Sequence, residues 1–233
     1  MTKQLKPIRV YFAAELFNLP ARFFNDALVS NLERENIQVF SPQRNGFEFS
    51  RLAPALAKYL PASEIEKSLN ILIYAFDLKS IWESDIVIAR FDEPSDPGVD
   101  TEVLFANFSQ IPVITYRTDV RSPYGNSSDK FAGMHSFPVK ESQVIIFQKS
   151  SSSPQKDLAD LSHNLITQIK TIFSTISSSN SKIIPANYKK IFAIATLLFK
   201  DVDVSSQAGL TTIAKRYLEN IEIMHQFGPC IIS

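Results

Sequence analysis

The chain has 233 residues, 45% of them hydrophobic, enough for one large domain or one domain with an appendage. Twenty-four basic residues balance twenty-four acidic ones, so charge gives no case for nucleic acid or an anionic membrane as main partner. The lone cysteine, Cys230, excludes an internal disulfide framework and a thiolate metal cluster. Residues 1–7 lack the apolar core of a signal peptide and no apolar run reaches membrane length, so a soluble cytoplasmic protein is expected.

Residues 8–13 are β-branched and aromatic and predict a first strand. Phe23, Phe24, Ala27, Leu28 and Leu32 recur at helical spacing, predicting an amphipathic helix over about 20–35. Residues 37–40 read as a second strand, which makes the first three elements a right-handed βαβ unit. Residues 43–61 carry loop chemistry and two helix-breaking prolines, Pro54 and Pro61. Ile65, Leu69, Leu72, Ile73 and Phe76 then mark a helical face, and residues 77–82 continue as a short helix or turn. Strands are expected at 85–90, 112–116 and 144–147, with a helix over about 101–110 and a long polar loop over 117–138. The Ser-rich stretch 150–154 reads as a linker. Beyond it come helical patterns from Leu158 to Ile176, over about 186–199, and from Leu210 to Ile221, with a break at 177–181. The expected organisation is therefore an α/β domain over 1–149 and a helical extension over 150–233.

Carboxylates crowd the stretch 91–102, between the third strand and the following helix, where an α/β protein places its ligand. Glu102 is predicted in the first helical turn, where the helix dipole favours its ionised form. Tyr11, Gln43, Asp77 and Asp96 converge on the same sheet edge if the strands hold. Several carboxylates in one cleft suit glycosyl chemistry: one anion attacks the sugar and another carboxyl protonates the leaving group. Each residue also has a plainer reading. Tyr11 fits a core aromatic, Asp77 an N-cap, Asp96 a turn residue and Gln43 a surface side chain. His135, His163 and His225 stand at no metal-ligand spacing and are assigned no role, and no glycine-rich phosphate loop is present.

Four segments together resemble the nucleoside 2-deoxyribosyltransferase family over residues 8–121. They are Val10-Tyr11-Phe12-Ala13-Ala14-Glu15-Leu16-Phe17, Asp77-Leu78-Lys79-Ser80-Ile81, and Asp85-Ile86-Val87-Ile88-Ala89 with Asp96-Pro97-Gly98-Val99-Asp100-Thr101-Glu102-Val103. The last is Pro112-Val113-Ile114 followed by Thr118-Asp119-Val120-Arg121. The resemblance implies a flavodoxin-like α/β fold and transfer of 2-deoxyribose between purine and pyrimidine bases. It makes Glu102 the nucleophile, Asp77 and Asp96 the acidic pair that meets the base, and Tyr11 the residue that positions the nucleophile. Gln43, Gly98, Phe17 and Asn126 become substrate-binding residues. No metal or organic cofactor is expected. The expected partners are deoxynucleosides and free nucleobases, in a homo-oligomer whose active sites a neighbouring subunit completes. The sequence departs from the family pattern at Ala14-Glu15-Leu16, which adds a carboxylate after the first strand, and at Asp100-Thr101, where smaller residues are expected. Two other activities are compatible with the fold: a 2-deoxynucleoside 5′-monophosphate N-glycosidase, and a non-catalytic nucleotide-sensing module.

Overall fold

The computed structural model describes residues 7–48, 51–176 and 182–224; Cys230, His225 and the expected break at 177–181 lie outside them. In chain order the elements begin β1 (Ile8–Ala13), α1 (Leu19–Glu33), β2 (Ile37–Phe40), α2 (Pro42–Asn45), α3 (Ala53–Leu56) and α4 (Ala62–Glu83). They continue with β3 (Ile86–Arg90), α5 (Pro97–Phe108), β4 (Val113–Arg117), α6 (Ser136–Val139), β5 (Val144–Phe147) and α7 (Pro154–Thr175). The 3-10 turn Ala186–Tyr188, α8 (Lys189–Phe199), α9 (Gln207–Glu219) and α10 (Ile221–Met224) follow. These elements pack as two compact units, residues 1–41 with 80–183 and residues 42–79 with 184–233. The stretch expected as one helical extension is thus divided, its first helix packing with the sheet. Among the described residues no helix is long and apolar enough to cross a membrane.

The first unit is built on a five-stranded sheet of order β2-β1-β3-β4-β5, parallel at every pairing. This is the flavodoxin-like doubly wound topology, and its strand order reverses direction at β1. One face carries Val10, Phe12, Ile86, Ile88, Ile114 and Tyr116, packed against Leu28 and Leu32 of α1 and Leu161, Leu165 and Ile169 of α7. Helix α7 is therefore a layer of the sheet sandwich, and Asn31 and Glu35 bond across to its Ser162 and Lys170. The Ser-rich stretch before it works as a helix start, with Ser153 as N-cap and Pro154 in the first turn. Strand alternation turns Tyr11, Ala13, Val87, Ala89, Val113, Thr115 and Arg117 to the other face, which α5 covers.

Helix α4 runs unbroken from Ala62 to Glu83, so residues 77–82, expected as a short helix or turn, continue the same helix. No glycine or proline interrupts this span, so nothing ends the helix at Asp77. Its last turn is closed by Lys182, whose Nζ donates to the Trp82 and Ser84 carbonyls at 2.6 and 2.7 Å.

The second unit gathers α2, α3, most of α4 and the chain from Ile184 onward. Phe47, Phe76 and Phe199 form its aromatic centre, with ring centroids 4.8 to 6.1 Å apart. Nearby in the chain, Glu48 has a buried Oε2 with no hydrogen-bond partner. Burial pushes its carboxyl up to about 7 against the partial relief of Arg51. A carboxyl whose folded value is raised destabilises the fold as pH climbs through that range. Glu48→Gln is thus expected to stabilise the protein above neutral pH, by at most on the order of 3 kcal/mol, and to do nothing near pH 4. Urea titrations at the two pH values check this, and an equal difference at both would refute it.

Candidate active site

Tyr11 lies on β1, fully buried, with its ring stacked on Phe40 of β2 at 5.5 Å. The stacking fixes the ring, and the hydroxyl emerges on the α5 side of the sheet. There it donates to Glu102 Oε1 at 2.5 Å, within the range of a charge-assisted hydrogen bond to an ionised carboxylate. The two residues are ninety-one positions apart in the chain and meet because α5 lies across β1, β3 and β4.

Helix α5 begins one turn earlier than the sequence suggested. Asp96 is its N-cap, accepting from Gly98 N at 2.7 Å, and Pro97 and Gly98 are its first residues. Glu102 therefore sits in the second turn, and the dipole effect expected at the helix start fades within the first. The Tyr11 hydroxyl favours the anion in its place, since hydrogen bonding to the charged form stabilises it. Gly98 has a local reason: a β-carbon there would lie 2.8 Å from Asp96 Oδ1 and disturb the cap. A carboxylate has two oxygens, so capping through Oδ1 is compatible with a second task.

Asp100 and Glu102 project about 200° apart around the helix, onto opposite sides. Asp100 Oδ1 is buried without a hydrogen-bond partner. Burial raises its carboxyl above the ordinary value; His135 opposes the shift, and Asp96 and Glu93 add to it. His135 is the N-cap of α6, which packs on α5, and its ring meets Tyr124 and Phe137 edge-on at 4.8 and 5.0 Å.

The carboxylate loop is tied to the end of β4 by Asp92, which carries no role in the sequence reading. Its Oδ1 accepts from Thr118 N at 2.6 Å and Asp119 N at 2.8 Å. Its Oδ2 accepts from Thr118 Oγ1 and Arg90 Nε, both at 2.6 Å. Asp119 in turn accepts from Glu93 N at 3.3 Å and from Arg121, whose Nη2 also donates to the Glu93 carbonyl. The hydrogen bonds from Arg121 hold the Asp119 carboxyl down at about 2. The stability it adds is complete above the ordinary carboxylate range and is lost only as pH falls toward that value. Thr118-Asp119-Val120-Arg121 is thus a clamp on the loop that carries Asp96.

The other expected site residues lie on other elements of the chain. Asp77 is half-buried well inside α4, so the N-cap reading fails for want of a helix start there. Gln43 is half-buried on the short helix α2; both belong to the second unit. Phe17 is 75% exposed. Asn126 is exposed, and its Oδ1 accepts from Ser128 N and Oγ at 3.0 Å, shaping its own turn. Besides Asp92, the sequence reading missed Arg117, which ends an apolar strand and carries no local mark of its burial.

A doubly wound parallel sheet with a tyrosine-anchored carboxylate at its ligand end defines an α/β protein with a candidate active site at the switch point. The chain belongs to the nucleoside 2-deoxyribosyltransferase family, whose model, described as Nucleoside 2-deoxyribosyltransferase, matches residues 10–145. No curated protein matches it at a significant level. Among solved structures it is similar to a conserved protein from Enterococcus faecalis V583, with 21% identity, a TM-score of 0.47, and coverage of 72% of this chain and 99% of that one. It is also similar to the CMP N-glycosidase BcmB of Clostridium botulinum, with 18% identity, a TM-score of 0.37, and coverage of 66% and 97%.

Proposed function

We propose that the protein transfers 2-deoxyribose between nucleobases by double displacement through Glu102. The observation that carries this reading is the 2.5 Å hydrogen bond from Tyr11 Oη to Glu102 Oε1. It supports an ionised carboxylate fixed in direction, which is what attack on a sugar carbon requires. In the first step a Glu102 oxygen bonds to C1′ as the C1′–N bond breaks; the pair from that bond goes to the base nitrogen, which takes a proton from a carboxylic acid. Asp96 is the group assigned to that proton. In the second step an incoming base gives up its proton to the same carboxylate and attacks C1′, releasing Glu102. Two inversions give net retention. A 2-deoxy sugar lacks the electron-withdrawing 2-hydroxyl, so its cation-like transition state is easier to reach.

The balance of charge favours nucleosides over 5′-monophosphates. Around the carboxylate loop, Arg90 is paired with Asp92 and Arg121 with Asp119, while Glu93 adds a further carboxylate. A phosphate dianion entering there would meet engaged cations and repelling carboxylates.

The test is incubation of the protein with deoxyinosine and adenine, with chromatography for deoxyadenosine and hypoxanthine. Exchange is expected, with slow hydrolysis when no acceptor base is supplied. No exchange at any pH from mildly acidic to neutral sinks the transferase reading. Release of base from a deoxynucleoside monophosphate, with none from the nucleoside, would replace it with the glycosidase.

A further inference from the structure

Arg117 is the last residue of β4, and its side chain is fully buried, 0% exposed. No carboxylate among the described residues forms an ion pair with it, and its Nε has no hydrogen-bond partner. Burying a guanidinium this way is costly, and an apolar side chain such as those of Val113 and Ile114 in the same strand would avoid the cost. What the cation does hold is the polar loop 118–135. Nη1 donates to the Ala132 carbonyl at 2.8 Å, and Nη2 lies 3.5 Å from Ser122 Oγ. The guanidinium thus bonds to both limbs of the loop, ten residues apart, while its Cζ stands 5.6 Å from the Phe147 ring centroid. The loop is shaped to admit it. Gly133 has φ +70°, and a β-carbon there would come within 2.6 Å of Nη1. Asp129 Oδ1 holds the same corner by accepting from Phe131 N and Gly133 N.

Both ends of this loop touch the candidate site. At its start, Thr118 N and Asp119 N donate to Asp92 of the carboxylate loop 91–96, and Asp119 accepts from Glu93 N. At its end, His135 caps α6, which packs on α5 beside Asp100. We infer that Arg117 is a positioning residue, whose buried guanidinium gathers loop 118–135 into a wall that fixes the carboxylate loop and the start of α5. An arginine suits this task because its planar fork reaches two limbs at once, which an ammonium cannot do in one geometry. The kinetic part of this inference rests on the deoxyribosyl-transfer reading; the structural part does not.

The experiment compares the wild-type chain with Arg117→Met, which removes every donor, and Arg117→Lys, which keeps the charge. Trypsin reads the loop directly, because Arg121 and Lys130 lie within it and are exposed. In Arg117→Met, cleavage at these two sites is expected to rise about tenfold or more while far-UV circular dichroism stays unchanged. The kcat of deoxyinosine–adenine exchange is expected to fall about tenfold to a hundredfold, with KM changed less than about threefold. Arg117→Lys should recover part of both losses. A folded Arg117→Met protein with wild-type cleavage and wild-type kcat overturns the proposal, as does a lowered melting point with no change at either tryptic site. Should Arg117→Met fail to fold, Gly133→Ala forces the guanidinium out from the loop side and must show the same two changes, or the proposal fails. If the wild-type chain shows no exchange, the transferase reading falls, and the tryptic comparison alone decides the role of Arg117.

Discussion

Glu102→Gln is expected to lower base exchange by about 10⁴-fold or more, the scale seen when a covalent nucleophile is removed. Glutamine keeps the shape and can still accept from the Tyr11 hydroxyl through its amide oxygen, so the position of α5 should survive. What it cannot do is form the glycosyl ester. The core side of the helix, through Val103, Phe105 and Ala106, is untouched by the change. Exchange and hydrolysis should vanish together, because both pass through the same ester. Mass spectrometry of the protein mixed with deoxyinosine and no acceptor should show one added deoxyribosyl group in the wild type and none in the variant. Retained exchange would move the nucleophile elsewhere. Tyr11→Phe is the milder companion, expected to lose about tenfold to a hundredfold in kcat, because the carboxylate loses the donor that fixes its direction.

Asp92→Ala should be the most destabilising single substitution at this end of the sheet, at about 3–5 kcal/mol. Asp92 accepts four hydrogen bonds between 2.6 and 2.8 Å, two of them from backbone N–H groups. Alanine leaves those donors without their acceptor and strips Arg90 of its counter-ion. The Arg90 side chain is only 16% exposed and already has a buried Nη1 without a partner. The loss is therefore that of an uncompensated buried cation, far above what an exposed helix pair such as Lys156–Asp160 contributes. Urea denaturation measures it. A change under about 1 kcal/mol would mean that water replaces the carboxylate at little cost.

The five strands were legible because each is a short apolar run between polar punctuation, which in an α/β chain has few other readings. Helix boundaries were not, for a physical reason: the residues that end structure also begin it. Ser153-Pro154 read as linker and Pro97-Gly98 as loop, yet both pairs are helix starts. The same ambiguity placed Glu102 one turn too early. Asp77 misled in the opposite way, since capping propensity gives way inside a helix that nothing interrupts. The Tyr11–Glu102 contact could not follow from spacing or periodicity, since it depends on how α5 crosses the sheet. It became an expectation only through the family resemblance. The Asp92 clamp joins residues twenty-six positions apart, and no local pattern marks it.

The two-unit packing has a consequence for how the chain assembles. The sequence enters the first unit, leaves it at Pro42, returns at Ser80 and leaves again at Ile184. Helix α3, made early, packs against α9, which is made more than a hundred and fifty residues later. During synthesis from the N-terminus, residues 42–79 must therefore wait with their apolar faces uncovered while the sheet forms around β1, β3 and β4. Contacts between residues so far apart in the chain are slow to form. The second unit is therefore expected to close only after residues 184–224 have been made, and its early helices are the segment expected to need shielding until then.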